Sequence, residues 1–160
     1  MDDYSLNQRQ AREASLVYLY QLIGSRKIAL ETNESFNIEQ FIKDLFPGLN
    51  YQLQEKFKTD KAFNMMNNEL CKLVIKDSIK IENIIEYISF YLNNKRTISS
   101  IGDMELAILV LSFIQFKDTD IHHTIVINEA IELAKDYCDS NAYKFINGVL
   151  DNMSNNISKE

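Results

Sequence analysis

Residues 101–116 read IGDMELAILVLSFIQF. Met104, the run from Leu106 to Leu111, Phe113, Ile114 and Phe116 make the segment nearly continuously apolar. A central strand or a central helix could bury such a run on every side. Strands span about 4–8 residues, so a run of this length reads as a helix. A helix that is apolar around its circumference must be surrounded by others. The segment therefore predicts an all-α protein with this helix at its centre.

The flanking sequence agrees. The chain has 160 residues, 46% hydrophobic, with only one Pro and four Gly to interrupt helices. That length suits one domain or two small subdomains sharing a core. Ser5 and Gln8 have capping-box spacing, so a first helix is expected from about residue 6 to a C-cap at Gly24. Its second half, Leu16 to Ile23, is apolar almost all round and should be buried. Its first half carries Gln8, Arg9, Gln10, Arg12 and Glu13 and should project into water. Asn37 and Gln40 form a second capping box, for a short helix that Pro47-Gly48 ends. Residues 25–36 and 47–59 then read as polar connectors.

From Asp60, Ala62, Phe63, Met66, Leu70, Leu73 and Val74 recur at helical spacing. Asp77-Ser78 offers the cap of the next helix, marked by Ile81, Ile84, Ile85, Ile88, Tyr91 and Leu92. Residues 93–100 read as a linker. After the central helix, Lys117 to His123 is a polar turn. Val126, Ile127, Ala130, Ile131, Ala134 and Cys138 mark a sixth helix. Ala142, Phe145, Ile146, Val149, Leu150 and Met153 mark a seventh, with a frayed tail from Ser154. About seven helices result, in subdomains of roughly 1–77 and 78–156 within one domain, 1–156, and a disordered tail over 157–160.

No apolar stretch approaches the roughly 20 residues of a membrane span. The acidic start, Met1-Asp2-Asp3, lacks a signal-peptide pattern. Cys71 and Cys138 read as lone core or boundary thiols in a reducing compartment, so a cytoplasmic protein is expected. The net charge of −6 argues against a general nucleic-acid binder but allows a local basic patch. No P-loop, G-x-G-x-x-G, C-x-x-C or H-E-x-x-H motif occurs, so no enzyme and no cofactor are expected. His122 and His123 are adjacent in a turn and read as exposed loop residues rather than metal ligands.

Residues 127–151 read INEAIELAKDYCDSNAYKFINGVLD. This stretch resembles the signature of the bacterial NusB antitermination family, close to I-N-E-A-V-E-L-A-K followed by K-F-V-N-G-V-L-D. Arg9-Gln10-Ala11-Arg12-Glu13-Ala14 with Leu19-Tyr20 resembles the family's opening block. The resemblance implies two small helical bundles packed across each other, the first helix between them. It also implies a non-catalytic factor that binds boxA RNA of ribosomal RNA leaders together with NusE, a small-subunit ribosomal protein. The pair would join the RNA polymerase antitermination complex. Family members are monomers or homodimers. The same domain occurs fused to ribosomal RNA cytosine methyltransferases, but no cofactor-binding segment is present here. A NusB-fold protein-interaction module with weak or lost RNA binding is the alternative.

Two places carry the expected RNA contacts. Arg9 and Arg12 share a helix face and suit phosphate oxygens. Arg9 is also one turn from Glu13, and the residues alone favour that ion pair. The resemblance reverses the preference, because the family uses an arginine-rich N-terminal segment on RNA. Here the segment is thin, and Asp2 and Asp3 oppose it. The junction of the last two helices brings Tyr137, Asn141, Tyr143, Lys144 and Phe145 together. Aromatic rings stack on unpaired bases and lysine meets phosphate, although Phe145 also lies at core spacing with Val149 and Lys144 suits a solvated face.

Asn128 and Asn147 read as rim residues. Gly148 costs about 1 kcal/mol against Ala inside a helix, an expense that a closely approaching helix would offset. Asn141-Ala142 stands where the family often has Asp-Ser. Val110 and Gln115 stand where it has Arg and Glu, and the proline after that helix is absent. The acidic faces of helices spanning 79–116 are the expected landing area for a basic ribosomal protein.

Overall fold

Asn7, rather than Ser5, opens the first helix. In the computed structural model, which describes residues 6–59, 63–92 and 96–157, α1 spans Gln8–Glu31. The Asn7 carboxamide oxygen accepts from the Gln10 N–H at 2.8 Å, and the Gln10 side chain accepts from the Asn7 N–H at 3.1 Å. Two of the N–H groups at the start of the helix are thereby satisfied. Ser5 lies outside the described residues, as do Asp2 and Asp3. The helix also runs past Gly24, because no glycine takes the positive φ that a left-handed cap requires. It closes at Thr32, whose N–H reaches the Ile28 carbonyl at 2.9 Å.

The chain divides after Ile79 into two compact helical units. In the first, α2 (Ile38–Phe57) begins as expected, with the Asn37 side chain accepting from the Gln40 N–H at 3.0 Å. Pro47-Gly48 does not end it. Pro47 sits inside the helix, where lost hydrogen bonding and ring clash cost about 3 kcal/mol. The helix continues because Leu49 and Leu53 bury almost completely on the next turns. Residues 25–31 and 47–57, read as connectors, are therefore helical. The helix closes at Lys58, which itself takes the left-handed conformation with φ 53°.

The expected helix from Asp60 is instead a 3₁₀ turn, Met65–Asn67, followed by α3 (Glu69–Ser78). Residues 60–62 lie outside the described residues. Asn64 and Asn68 cap the two elements through their side-chain oxygens, and short local bonds of this kind break an apolar pattern into two starts. The Asn50 side chain accepts from the Met65 N–H at 3.0 Å, which ties the turn to α2. Asp77-Ser78 does not cap the next helix. Ser78 is buried, donates to the Ile75 carbonyl at 2.6 Å and lies 2.7 Å from the Tyr18 hydroxyl. Tyr18 is fully buried, and its ring meets Phe46 edge-on at 6.4 Å.

The second unit contains α4 (Ile81–Ser89), α5 (Asp103–Asp118), α6 (His123–Tyr137) and α7 (Ala142–Asn156), with a 3₁₀ turn at Ile98–Ser100. Seven α-helices and no strand occur among the described residues. Buried residues run unbroken from Leu106 to Ser112 and resume at Ile114, Gln115 and Phe116, so α5 is the central helix. Its two buried polar side chains bond to its own backbone. The Ser112 hydroxyl donates to the Ile108 carbonyl at 2.8 Å, and the Gln115 amide donates to the Leu111 carbonyl at 3.2 Å. Val110 is fully buried. Where the family pattern has charges, this chain places packing and a self-satisfied amide.

Two local readings are corrected here. His122 is exposed, but it caps α6 by accepting from the Thr124 N–H at 3.1 Å. His123 is half-buried with its ring 4.6 Å from that of Phe116. At the other end, Ser154 to Asn156 are helical rather than frayed, and the Ile157 N–H caps α7. Residues 158–160 lie outside the described residues.

Gly148 is also unlike its expectation. It is exposed, and a Cβ built on it meets nothing within 4 Å. No neighbouring helix offsets its conformational cost. Gly148→Ala is expected to stabilise the protein by about 0.5–1 kcal/mol, read as a raised urea midpoint at unchanged slope. A destabilised variant would show that this position needs glycine for folding.

Candidate nucleic-acid interface

The first expected contact lies in the first unit and is smaller than the sequence suggested. Arg12 is buried, with 6% of its surface exposed. The reason is that α3 packs against α1 nearer its start than the polar residues implied. The Cys71 thiol donates to the Ala11 carbonyl at 3.7 Å and receives a bond from the Ser15 hydroxyl at 3.6 Å. Arg12, one position from Ala11, is carried inward, where the aliphatic stem of an arginine can line apolar surface. The first half of α1 therefore does not project into water as a whole. Arg9 stays partly exposed at 38%, with its Nε 3.8 Å from a Glu13 carboxylate oxygen. Lys56 of α2 approaches the other Glu13 oxygen at 4.0 Å. A partly exposed pair of this kind contributes at most about 1 kcal/mol and separates readily.

The second cluster belongs to the second unit. α6 ends at Tyr137, and the Ala142 N–H bonds the Asp139 carbonyl at 3.0 Å to close the turn into α7. Asn141 occupies the N-cap position, is exposed and makes no side-chain cap bond. Lys144 is exposed; Tyr137, Tyr143 and Phe145 are half-buried. The Lys135 ammonium lies 5.2 Å from the Tyr143 ring centroid. The Arg96 guanidinium lies 4.1 Å from the centroid of Phe145. Both arrangements fall within cation–π range. Phe145 is thus neither a plain core residue nor a bare stacking platform.

Lys135 and Arg96 are the members of this cluster that sequence reasoning missed. Lys135 stands in the signature block, and its reach to Tyr143 depends on how α6 turns into α7. Arg96 lies in an aperiodic connection that gives no sequence signal. The surroundings also hold carboxylates. Burial, with further contributions from Glu105 and Asp139, pushes the Cys138 thiol up to about 11. The junction is therefore of mixed charge rather than uniformly basic.

Asn128 and Asn147 are both exposed. Among the described residues, no group of three or more His, Cys, Asp or Glu side chains could hold a metal ion. No described helix is long and apolar enough to cross a membrane.

The fold and these clusters define a two-unit, all-α protein whose chemistry-bearing residues are cations and aromatic rings at helix ends. The NusB family model matches residues 9–155, and the chain belongs to the NusB family. It is 34% identical over 144 residues to the transcription antitermination protein NusB of Campylobacter jejuni, covering 90% of this chain and 92% of that one. Its identity to the protein of the same name from Pediococcus pentosaceus is 31% over 150 residues, covering 94% and 98%. A solved structure of NusB from T. maritima superposes with a TM-score of 0.63 at 22% identity, covering 95% of this chain and 93% of that one. The structural likeness supports the fold.

Proposed function

We propose that this protein is a transcription antitermination factor that binds boxA RNA of ribosomal RNA leaders as a heterodimer with NusE. The observation that carries the reading is the α6–α7 junction, where Lys135 backs the Tyr143 ring beside exposed Asn141 and Lys144. Half-exposed aromatic rings flanked by cations suit an unpaired strand, since stacking and phosphate contact need no duplex. Tyr137 extends the ring surface, Phe145 contributes through the guanidinium stacked on it, and Arg9 supplies a second phosphate contact from α1. Arg12 acts from its buried position by supporting that end of the helix. The factor works without catalysis, in the cytoplasm, within the RNA polymerase antitermination complex. The acidic surface expected from a net charge of −6 receives basic NusE.

A second reading has one observation in its favour. Burial of Arg12 and pairing of Arg9 with Glu13 leave little of the family's basic segment. A NusB-fold protein-interaction module with lost RNA binding would look the same at that end.

Fluorescent boxA RNA and a scrambled control, titrated with and without NusE across a salt series, separate the two readings. Selective binding that NusE strengthens and salt weakens is the expected result. NusE binding with no preference for boxA would establish the interaction module instead.

A further inference from the structure

Arg96 stands in the connection between α4 and α5, immediately before an ordered turn. The Thr97 N–H donates to the Ser100 hydroxyl at 2.9 Å, and that hydroxyl donates back to the Thr97 carbonyl at 2.8 Å. From this anchor the guanidinium lies over Phe145, 4.1 Å from the ring centroid. Its Nη2 lies 3.6 Å from Glu105 Oε1, with 31% of the Arg96 side chain exposed against 18% for Glu105.

The two contacts of the guanidinium differ in strength and purpose. Among the described residues, the ring holds its face and a loose ion pair holds an edge. That pair is longer than the roughly 2.7–2.9 Å of a charge-assisted hydrogen bond, so it leaves the fork unfilled. Glu105 has another task. Its Oε1 accepts from the Gly102 N–H at 3.1 Å, capping α5. The carboxylate therefore stays in place whether or not Arg96 remains beside it. A planar cation fixed by its face, with an edge on a weak internal acceptor, is prepared to exchange that acceptor for a stronger one. A phosphate oxygen pair matches the guanidinium fork.

We propose that Arg96 is an RNA phosphate-contacting residue of the α6–α7 junction, stacked on Phe145 and held by Glu105 until RNA displaces the carboxylate. The inference rests on the RNA-binding reading above. It assigns Phe145 the role of positioning the guanidinium. It assigns Glu105 the role of a competitor that lowers affinity. Because the contact is to phosphate, it adds affinity without sequence preference.

The test compares the unmodified protein with R96A, R96K and E105Q against boxA and scrambled RNA over a chloride series, with thermal melts alongside. Glutamine at 105 keeps the oxygen that caps α5 and removes the charge facing Arg96. R96A is expected to weaken binding to both RNAs about 5- to 10-fold and to reduce the salt slope by about 0.7, the share of one phosphate on a single strand. R96K should keep the slope and lose part of the affinity. E105Q should bind about threefold more tightly, with the gain largest at low salt, where the competing carboxylate is least screened. Selective RNA binding left unchanged by R96A would overturn the Arg96 assignment while preserving the RNA-binding reading. R96A weakening accompanied by a lowered melting temperature, with no gain in E105Q, would make the residue structural and also refute it. No RNA preference in the unmodified protein removes both.

Discussion

Leu109→Ala is expected to lower the stability of the protein by about 3–5 kcal/mol. Leu109 has no exposed surface, and its neighbours Ile108 and Val110 have none either. The helix buries residues around its whole circumference, so no side of α5 can relax outward to fill the space. The loss combines the transfer energy of the removed carbons with an unfilled cavity. Alanine is the best helix former, so the backbone contributes nothing to the cost. Urea unfolding followed by circular dichroism measures the effect. Phe90→Ala is the control, because Phe90 is 76% exposed at the end of α4 and its removal should change stability by less than about 0.5 kcal/mol. A Leu109 variant within about 1 kcal/mol of the unmodified protein would show that α5 is not the centre of a tight core.

Stability should also fall steeply in alkali, for a reason located in the first unit. Burial pushes the Tyr18 phenol up to about 12, against a smaller lowering by its bond to Ser78. Burial likewise pushes the Cys71 thiol up to about 11, with Ser15 opposing. In both cases the folded state holds the proton more tightly than the unfolded chain does. The sign follows from linkage. Below about pH 7.5 both groups are protonated in either state, and the contribution is fully present. As pH rises, the unfolded chain releases first the Cys71 proton and then, above about pH 10, the Tyr18 proton. Stability is lost progressively until each folded-state value is passed.

From pH 8 to pH 11 the two groups together should remove about 3–4 kcal/mol. Urea midpoints measured at pH 8, 9.5 and 11 test this. The Tyr18→Phe, Cys71→Ala double variant should be weaker at pH 8, because it lacks the buried hydroxyl bond and the thiol packing, yet lose less on going to pH 11. Equal losses in the variant and the unmodified protein would assign the alkaline effect to surface charge instead.

Much of the fold was legible because its signals are local. The apolar run of 101–116 is too long for a buried strand and so reads as a helix, and Asn37 announces the start of α2 through a bond three residues away. The helix ends were less legible. Gly24, Pro47 and Gly48 look like stops, and each lies inside a helix. A stop signal of a few kcal/mol yields when burial of residues on the following turns stabilises by as much, and nothing local reveals which will be buried. Asn64 and Asn68 show the converse. Asparagine caps split what periodicity had joined, because a side-chain bond to the backbone competes with helix continuation.

The candidate site divides in the same way. Tyr143, Lys144 and Asn141 could be read as a cluster from sequence because they stand within four consecutive residues at the start of α7. Arg12 could not be read correctly, since its burial depends on where α3 meets α1, through Cys71 and Ala11 far apart in the chain. The partnership of Arg96 with Phe145 joins residues almost fifty positions apart. By itself, the sequence determined that the chain is helical, which segment is central, and to which family it belongs. Those properties come from periodicity, capping and contiguous motifs that act within a few residues. Only the tertiary structure decided which cations are sunk, which rings carry a guanidinium, and which glycine has empty space beside it. Such features arise from contacts between segments whose separation along the chain carries no record of their meeting.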